Sequence, residues 1–450
     1  MTQTAEQLTA APVRDFGWPD FVAARPAREA RWLIDLRRSG MTRFVEMGGL
    51  PSVRDEEWRQ TPVGPIARTA FQRPAEEGTV RPEALTPFTF GHAFDGHSIV
   101  LVNGRYAPSL SSLGAQDGVR IQSLARLVDR EPALVENRLG QILGAGNAFA
   151  ALNSAFIEDG AVIIVPPGVV LSEPIHVVHH TTASAGATVS HPRLLIVAGR
   201  NSQATVVESF GGPDGLVYLT NAVAEVVLED GAILDHYKVQ REGTASFHMA
   251  TVAVRQGRDT HFSSHSIALG AAIARHEVDQ VFTGQGGECT LGGLFLATGT
   301  QLTDTHTRID HAVPHCSSRQ LYKGIMDGQA RGVFVGRVVV AKDAQKTDAQ
   351  QTNKNLLLSR NALVHSVPQL EILADDVKCK HGSTTGQLDA TALFYLRSRG
   401  IGEDAARSLL VYAFASDVIA RIKVEALRSG LGRFLRERLP SAADIEEALV

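Results

Sequence analysis

A cysteine and a histidine stand two residues apart in the segment 376–382, at the end of a long run of predicted strands. If the strand includes Lys380, strand alternation directs the Cys379 thiol and the His381 imidazole to one face, about 7 Å apart. Both groups are ligands for zinc, ferrous iron and iron–sulfur clusters. The flanking Lys378 and Lys380 are expected to lower the thiol pKa. Because a closed site usually needs four ligands, the remaining ligands must lie elsewhere.

The stretch 304–316 carries further ligating side chains: His306, Asp310, His311, His315 and Cys316. They would form a ligand cluster only if the chain folded them onto one face. An exposed polar strand and turn is the favoured interpretation. His261 and His265 are four residues apart in a predicted strand and share a face, but lack a nearby cysteine or carboxylate pair. We expect them to be structural.

The sequence has no G-x-x-x-x-G-K-[ST] loop, G-x-S-x-G elbow, H-E-x-x-H helix or C-x-x-C pair. These motifs serve ATP hydrolysis, serine hydrolysis, zinc proteolysis and dithiol redox chemistry. We therefore expect that the chain is not an enzyme on its own and that none of its residues is catalytic.

Composition and charge narrow the classes of partner. The 450 residues are 44% hydrophobic and 20% charged, with a net charge of -4, which is typical of a folded soluble protein. No long Lys/Arg run favours nucleic acid, and no apolar run reaches the ~18 residues of a membrane span. Because the first residues lack signal-peptide features, we expect a cytoplasmic protein. The odd number of cysteines predicts reduced thiols.

The chain is predicted to have three parts. Residues 1–157 form a mostly helical N-terminal domain, with helices over 28–46, 123–143 and 147–156 and a strand over 98–103. Residues 158–380 are all-β, because short Val- and Ile-rich runs alternate with Gly, Asn and Asp turns. Residues 381–450 return to helix. The architecture is therefore mainly β, with helices at both ends.

The β region allows a pair of sandwiches, a propeller or a parallel β-helix. Two-residue hairpin signals such as Asn-Gly are few, which favours coils that turn through Gly and Asn. No strict repeat marks the coils.

The C-terminal part contains an apolar stripe at three- and four-residue steps: Ala406, Leu409, Leu410, Ala413, Phe414, Val418 and Ile422. Asp389 is predicted to cap the preceding helix, and Gly400 to end it. Such a stripe serves either the protein core or a docking surface, and the core is favoured.

Several segments resemble the SufB/SufD family of iron–sulfur cluster assembly proteins, on its SufD side. The C-terminal matches are GVFVGRVVV, AQKTDAQQTNKNLLLS and PQLEILADDVKCKHGSTTGQLDATALFYLRSRGI. The upstream matches are EEWRQTP and FAALNSAFIEDGAVIIVPPGVVLSEPI. The resemblance therefore spans most of the chain.

The resemblance implies a right-handed parallel β-helix core flanked by N-terminal and C-terminal helical domains. It implies a non-catalytic scaffold subunit in a complex with SufB and the ATPase SufC. The nascent cluster, or its iron, would be held transiently at the SufB interface. His381 and Cys379 match the positions that would contribute there, with His381 ranked first, and SufB would supply the missing ligands. Flavin binding is left unassigned.

The resemblance also implies that the C-terminal helices dock SufC, through Leu409, Leu410 and Phe414. It allows a homodimer of the isolated subunit. Two alternatives stay open on the sequence: SufB itself, whose cysteines carry sulfur, and a solitary β-helix enzyme acting on polysaccharide.

Overall fold

The computed structural model describes residues 14–26, 29–74, 80–90, 97–114, 118–184 and 186–440. Its body is a parallel β-solenoid of about eight turns. Each turn gives one strand to each of two facing sheets. The predicted β-helix is therefore confirmed, and the sandwich and propeller are excluded.

The first sheet is formed by alternate strands of the solenoid, which pair in parallel. They are β6 (Ile175–His180), β9 (Gln203–Gly211), β11 (Ile233–Arg241), β13 (His261–Ala268), β15 (Glu288–Ala297), β17 (Ser317–Met326), β19 (Asp348–Leu357) and β21 (Lys378–Gly386).

The second sheet contains the intervening strands. They are β5 (Gly160–Val165), β7 (Thr188–Ser190), β8 (Arg193–Ala198), β10 (Tyr218–Leu228), β12 (Phe247–Gln256), β14 (Ile273–Phe282), β16 (Leu302–His311), β18 (Arg331–Val340) and β20 (Leu363–Ile372). Inward side chains of both sheets build one core, in which Leu234, Phe262, Cys289 and Phe334 are nearly inaccessible.

The N-terminal region packs against the second sheet and closes the first end of the solenoid. Its elements are α1 (Trp18–Ala23), α2 (Arg31–Glu46), α3 (Gly64–Arg68), α4 (Thr86–Thr89), β1 (His97–Val102), β2 (Arg105–Tyr106), β3 (Ser112–Leu113), β4 (Arg120–Ser123), α5 (Leu124–Arg130) and α6 (Ala148–Ala155). Strand β1 extends the first sheet in parallel with β6, and β4 covers β5 in antiparallel register.

One helix prediction in this region is wrong in length. The helix expected over 123–143 begins after the Ser123 cap, as a single short helix, and ends at Arg130. Pro132 begins a separate 3-10 helix. The α-helix does not continue past this residue, because proline has no backbone N–H to donate. The region is thus a mixture of helices and short strands.

A buried ion pair joins the N-terminal region to the solenoid. The Arg193 guanidinium and the Glu225 carboxylate are completely buried, with Nη2 and Oε1 2.6 Å apart. Arg193 Nη1 also donates to Asn153 Oδ1 of α6 at 2.8 Å. Gly140 N donates to the same carboxylate at 2.8 Å. Four chain segments therefore meet at one charge pair.

The C-terminal helices lie on the outer face of the first sheet. They are α7 (Ala390–Ser398), α8 (Glu403–Ile419) and α9 (Glu425–Arg438). The predicted Asp389 cap is confirmed, since its side chain accepts from Thr391 N at 2.8 Å. Side chains of α8 and α9 pack against Tyr237 and Ile267. Among the described helices, none is long and apolar enough to cross a membrane.

The two ends of the solenoid differ. At the C-terminal end, β20 pairs with β18 and β21 pairs with β19, and neither pairs with a second strand among those that the structure describes. Strand β21 continues to Gly386, beyond the domain boundary placed at 380, so His381 belongs to the solenoid. The last coil therefore ends in two long strand edges that no described element covers.

Candidate ligand site at the open end of the solenoid

Cys379 and His381 both lie on β21, the last strand of the first sheet. Cys379 packs with Val338 and Ala349 inside the last coils, so its side chain faces the interior. Strand alternation places His381 on the same side, at the exposed end of the coil. The structure therefore brings the two predicted residues together on one face.

The thiol of Cys379 is half-buried, and burial raises its pKa above the usual value. The expectation that neighbouring lysines lower this pKa is wrong. Lys378 and Lys380 precede and follow Cys379 on the strand, so alternation sends their ammonium groups to the opposite face. The free chain consequently presents a neutral thiol, and a metal must displace its proton before the sulfur can bind.

A polar network lines the interior just beneath this end. Ser383 Oγ of β21 donates to Ser366 Oγ at 2.7 Å, and Ser366 Oγ donates to Asn353 Oδ1 at 2.8 Å. Asn355 Nδ2 also donates to Asn353 Oδ1, at 2.6 Å. Hydroxyls and carboxamides therefore line part of the interior of the last two coils, next to the apolar cluster that contains Cys379.

The stretch 304–316 does not form a second ligand cluster. Asp304 is buried on the outer face of its strand, 2.5 Å from Arg275 Nη1, and His306 Nε2 lies 3.0 Å from its other oxygen. Burial alone would raise the pKa of Asp304, but Arg275 and His306 outweigh it and lower that pKa to about 2. Thr61 Oγ1 donates to Asp304 at 2.6 Å, which fastens the N-terminal segment to the sheet. This carboxylate is a structural anchor.

The remaining residues of that stretch point in different directions. His311 faces the interior, where its Nε2 lies 2.9 Å from Ser318 Oγ. His315 occupies a corner in the left-handed region, with φ of 60°. Cys316 is buried beside it. The interpretation as an exposed strand and turn is therefore wrong for His311 and Cys316.

The other histidine pair has structural partners, as expected. His261 is exposed and lies 3.1 Å from Glu288 Oε2. His265 is buried and stacks on Tyr237, with ring centroids 5.7 Å apart. Across the described ranges, no group of three or more His, Cys, Asp or Glu residues could hold a metal ion. The part of the chain that the structure describes thus presents two neighbouring ligands, Cys379 and His381, and no complete metal site.

The open end also exposes apolar side chains that the sequence analysis did not single out. Leu363 is 47% exposed, and Leu373, which follows β20, is 59% exposed. Pro368 is the sequence feature that indicates an edge strand here, because a proline inside a strand is tolerated at a sheet edge. On the side of β20 that faces the preceding coil, Pro368 pairs in register with Gly336 of β18. An apolar, unpaired edge of this length is the kind of surface that proteins cover with another chain.

The predicted docking residues are only partly available. Leu409, Leu410 and Phe414 are half-buried on α8. Lys323 contacts Phe414 in two ways. Its Nζ donates a hydrogen bond to the Phe414 carbonyl at 2.9 Å, and the same atom lies 4.4 Å from the centroid of the Phe414 ring. The same ammonium pairs with Asp417 at 2.9 Å. Helix α8 is therefore clamped to β17 by one buried lysine.

The most exposed aromatic residues of the C-terminal helices lie instead on α7. Phe394 is 72% exposed, and Tyr395 is 55% exposed. Both residues belong to the LFYLRSRGI segment that resembles the family, and the resemblance gave neither of them a role.

Comparison with known proteins identifies the family. The model described as "SUF system FeS cluster assembly, SufBD core domain" matches residues 179–414, and the SufBD protein N-terminal region matches 25–177. The chain is 34% identical over 404 residues to the SufBD family protein slr0076 of Synechocystis, covering 88% of this chain and 89% of that protein.

Two other relatives share most of their length with the chain. The iron-sulfur cluster assembly protein SufD of Escherichia coli is 32% identical, over 88% of this chain and 90% of the relative. The chloroplastic protein ABCI7 of Arabidopsis thaliana is also 32% identical, over 84% and 80%. The chain therefore belongs to the SufBD family and, within it, is most like SufD.

Proposed function

We propose that this chain is the SufD-type subunit of a SufB–SufC–SufD complex and acts as a non-catalytic scaffold for iron–sulfur cluster assembly. Its family and its SufD relatives support a role in cluster assembly through the SUF system. In this proposal SufB pairs with the open end of the solenoid, and ATP is hydrolysed by SufC. The growing cluster is the cargo of the complex.

The observation that carries the proposal is the location of His381 and Cys379 on an uncovered strand edge. Strands β20 and β21 leave their outer backbone donors and acceptors unpaired in the described part of the chain. A sister solenoid can pair with such edges strand by strand, as in other cases of β-augmentation. Residues of that partner would then approach the imidazole and thiol from the open side.

The order of ligand use follows from the two side chains. The His381 imidazole is exposed and can bind ferrous iron without crossing the protein. The Cys379 thiol is protonated and packed among apolar side chains, so it requires both access and loss of its proton. In this proposal His381 receives iron first, and Cys379 joins once the metal favours the thiolate. Ligands from SufB complete the transient site.

The C-terminal helices form the proposed SufC surface. The exposed Phe394 and Tyr395 of α7 would make the first contact, and Leu409, Leu410 and Phe414 of α8 would support it. Lys323 ties α8 to β17, and β17 is connected to β21 through β19. A movement of SufC would thereby reach the coil that carries His381.

The test is the variant His381→Ala in the reconstituted three-protein complex. Assembly should remain intact, because this exposed side chain makes no core contact. Cluster yield, measured as bound iron and sulfide after anaerobic reconstitution, should fall strongly. The matched control is His261→Ala, which removes an exposed histidine from the same sheet near Glu288.

Normal cluster yield in the His381→Ala complex would remove the imidazole from the mechanism. A stable cluster held by the isolated wild-type chain would contradict the shared site and favour a SufB-like role.

A further inference from the structure

We propose that Gln351 is a positioning residue for His381. Its side-chain carbonyl accepts the N–H of the imidazole, so that the other ring nitrogen points to incoming metal. The inference rests on the proposed role of His381 as a ligand and adds a residue that no sequence motif marks.

The register of the last two strands places the two residues together. Gln351 of β19 pairs directly with His381 of β21 in the parallel sheet. Directly paired residues in a parallel sheet project from the same face, and neighbouring strands are about 4.8 Å apart. A glutamine side chain is long enough to bridge that spacing.

The side-chain carbonyl oxygen of Gln351 is available as a hydrogen-bond acceptor. Its side chain is only 2% exposed, and Oε1 has no hydrogen-bond partner among the described residues. On the other side Nε2 lies 3.4 Å from Gln320 Oε1, which also accepts from Thr307 Oγ1 at 2.8 Å. A buried carbonyl without a hydrogen-bond donor destabilises the fold, because it has lost its hydrogen bonds to water without replacement. On the open side of Gln351 the directly paired residue is His381, whose imidazole is exposed.

The fold makes room for this side chain. A Cβ atom at Gly336 would lie 2.0 Å from Gln351 Nε2. Glycine at this position of β18 therefore leaves the space across the interior that the carboxamide occupies. The packing holds Gln351 from below and from the opposite sheet.

The chemical consequence concerns the imidazole tautomer. A metal-binding histidine almost always donates its second ring N–H to a carbonyl or carboxylate, and that bond selects the tautomer and orientation of the ring. In the free chain the exposed ring has not formed this bond. A sister subunit that covers the open end would restrict the ring to the position above Gln351.

The experiment compares three variants of Gln351 and its neighbour in the reconstituted complex. Gln351→Leu removes the acceptor with little change in size, and Gln351→Glu keeps an acceptor and adds a negative charge. Gln350→Leu is the matched control, because residue 350 is also glutamine but lies on the opposite face of the strand. Initial rates of cluster formation are measured as a function of pH, and thermal unfolding of each chain is recorded.

Gln351→Leu should slow cluster formation about tenfold, in the range typical of residues that orient metal ligands. Gln351→Glu should retain most of the rate and shift the pH midpoint upward by about one unit, because a nearby carboxylate stabilises the imidazolium. Gln350→Leu should match the wild type.

A second measurement separates positioning from folding. Histidine-selective NMR labelling of the full chain, with the His381 signal identified by its loss in His381→Ala, should show a higher imidazole pKa in Gln351→Glu. An unchanged pKa there, or an unchanged rate in Gln351→Leu, would overturn the inference. If His381→Ala itself forms clusters normally, the proposed function fails, whereas the NMR result still reports whether the two side chains interact.

Discussion

Replacement of Phe394 by alanine should weaken the binding of SufC without unfolding the chain. A phenylalanine contributes roughly 150–250 Å² when fully buried. Because this ring is 72% exposed, an interface can still cover roughly 110–180 Å² of it, worth about 3–4 kcal/mol at ~25 cal/mol per Å². Part of that gain is offset by ordering costs, so we expect a loss of about 2–3 kcal/mol. The dissociation constant should rise about 30- to 150-fold.

The assay is calorimetric titration of the full chain with SufC. Val170→Ala is the control, because Val170 is 64% exposed but lies near the closed end of the solenoid. Circular dichroism and the thermal midpoint should be nearly unchanged in both variants, since exposed substitutions cost little stability. An unchanged dissociation constant for folded Phe394→Ala would refute the assignment of α7 to the SufC surface.

Two stability predictions follow from buried charges. Arg193→Met leaves the Glu225 carboxylate buried without its partner, and should lower the free energy of unfolding by about 3–5 kcal/mol in urea titrations followed by tryptophan fluorescence; a loss below ~1 kcal/mol would contradict the anchoring role. Burial and the nearby Glu277 raise the pKa of Asp279 to about 6. A raised pKa means that its contribution is fully favourable below about pH 4 and is lost as the pH rises through 6. Asp279→Asn should therefore stabilise the protein by about 3 kcal/mol at pH 7.5, at ~1.36 kcal/mol per unit of pKa difference, and by less than about 1 kcal/mol at pH 4. Equal effects at both pH values would contradict this sign.

The local geometry of the site could be predicted from the sequence because it depends on one strand. Alternation alone places Cys379 and His381 on one face, and the structure agrees. The same alternation sends Lys378 and Lys380 away from the thiol, which the pKa expectation overlooked. Burial of Cys379 comes from Val338 and Ala349 on other coils, so no local pattern contains it.

The type of fold, a solenoid, could be predicted from the sequence, but the length of its repeat could not. Strands of the first sheet begin at Ile233, His261, Glu288, Ser317 and Asp348, and the intervals differ because the corners differ in length. A strict sequence period therefore does not exist. Residue pairs on neighbouring coils, such as Gln351 and His381, depend on this register and become visible only in the folded chain.

The docking stripe shows the same limit for helices. Spacing identifies Leu409, Leu410 and Phe414 as one apolar face, but the sheet and Lys323 take up part of it. Phe394 and Tyr395 are adjacent in sequence, and neither belongs to an apolar stripe at three- and four-residue steps. Their exposure follows from the packing of α7 against α8, which is a tertiary property.

The central claim is that a sister subunit covers the open end of the solenoid at His381. Hydrogen exchange of the full chain, alone and with SufB, tests it most directly, because the unpaired amides on the outer edges of β20 and β21 report strand pairing. We predict strong protection of residues 363–372 and 378–386 on addition of SufB, with no change at the closed end. Protection confined to other surfaces, with both edges still exchanging freely, would contradict the account.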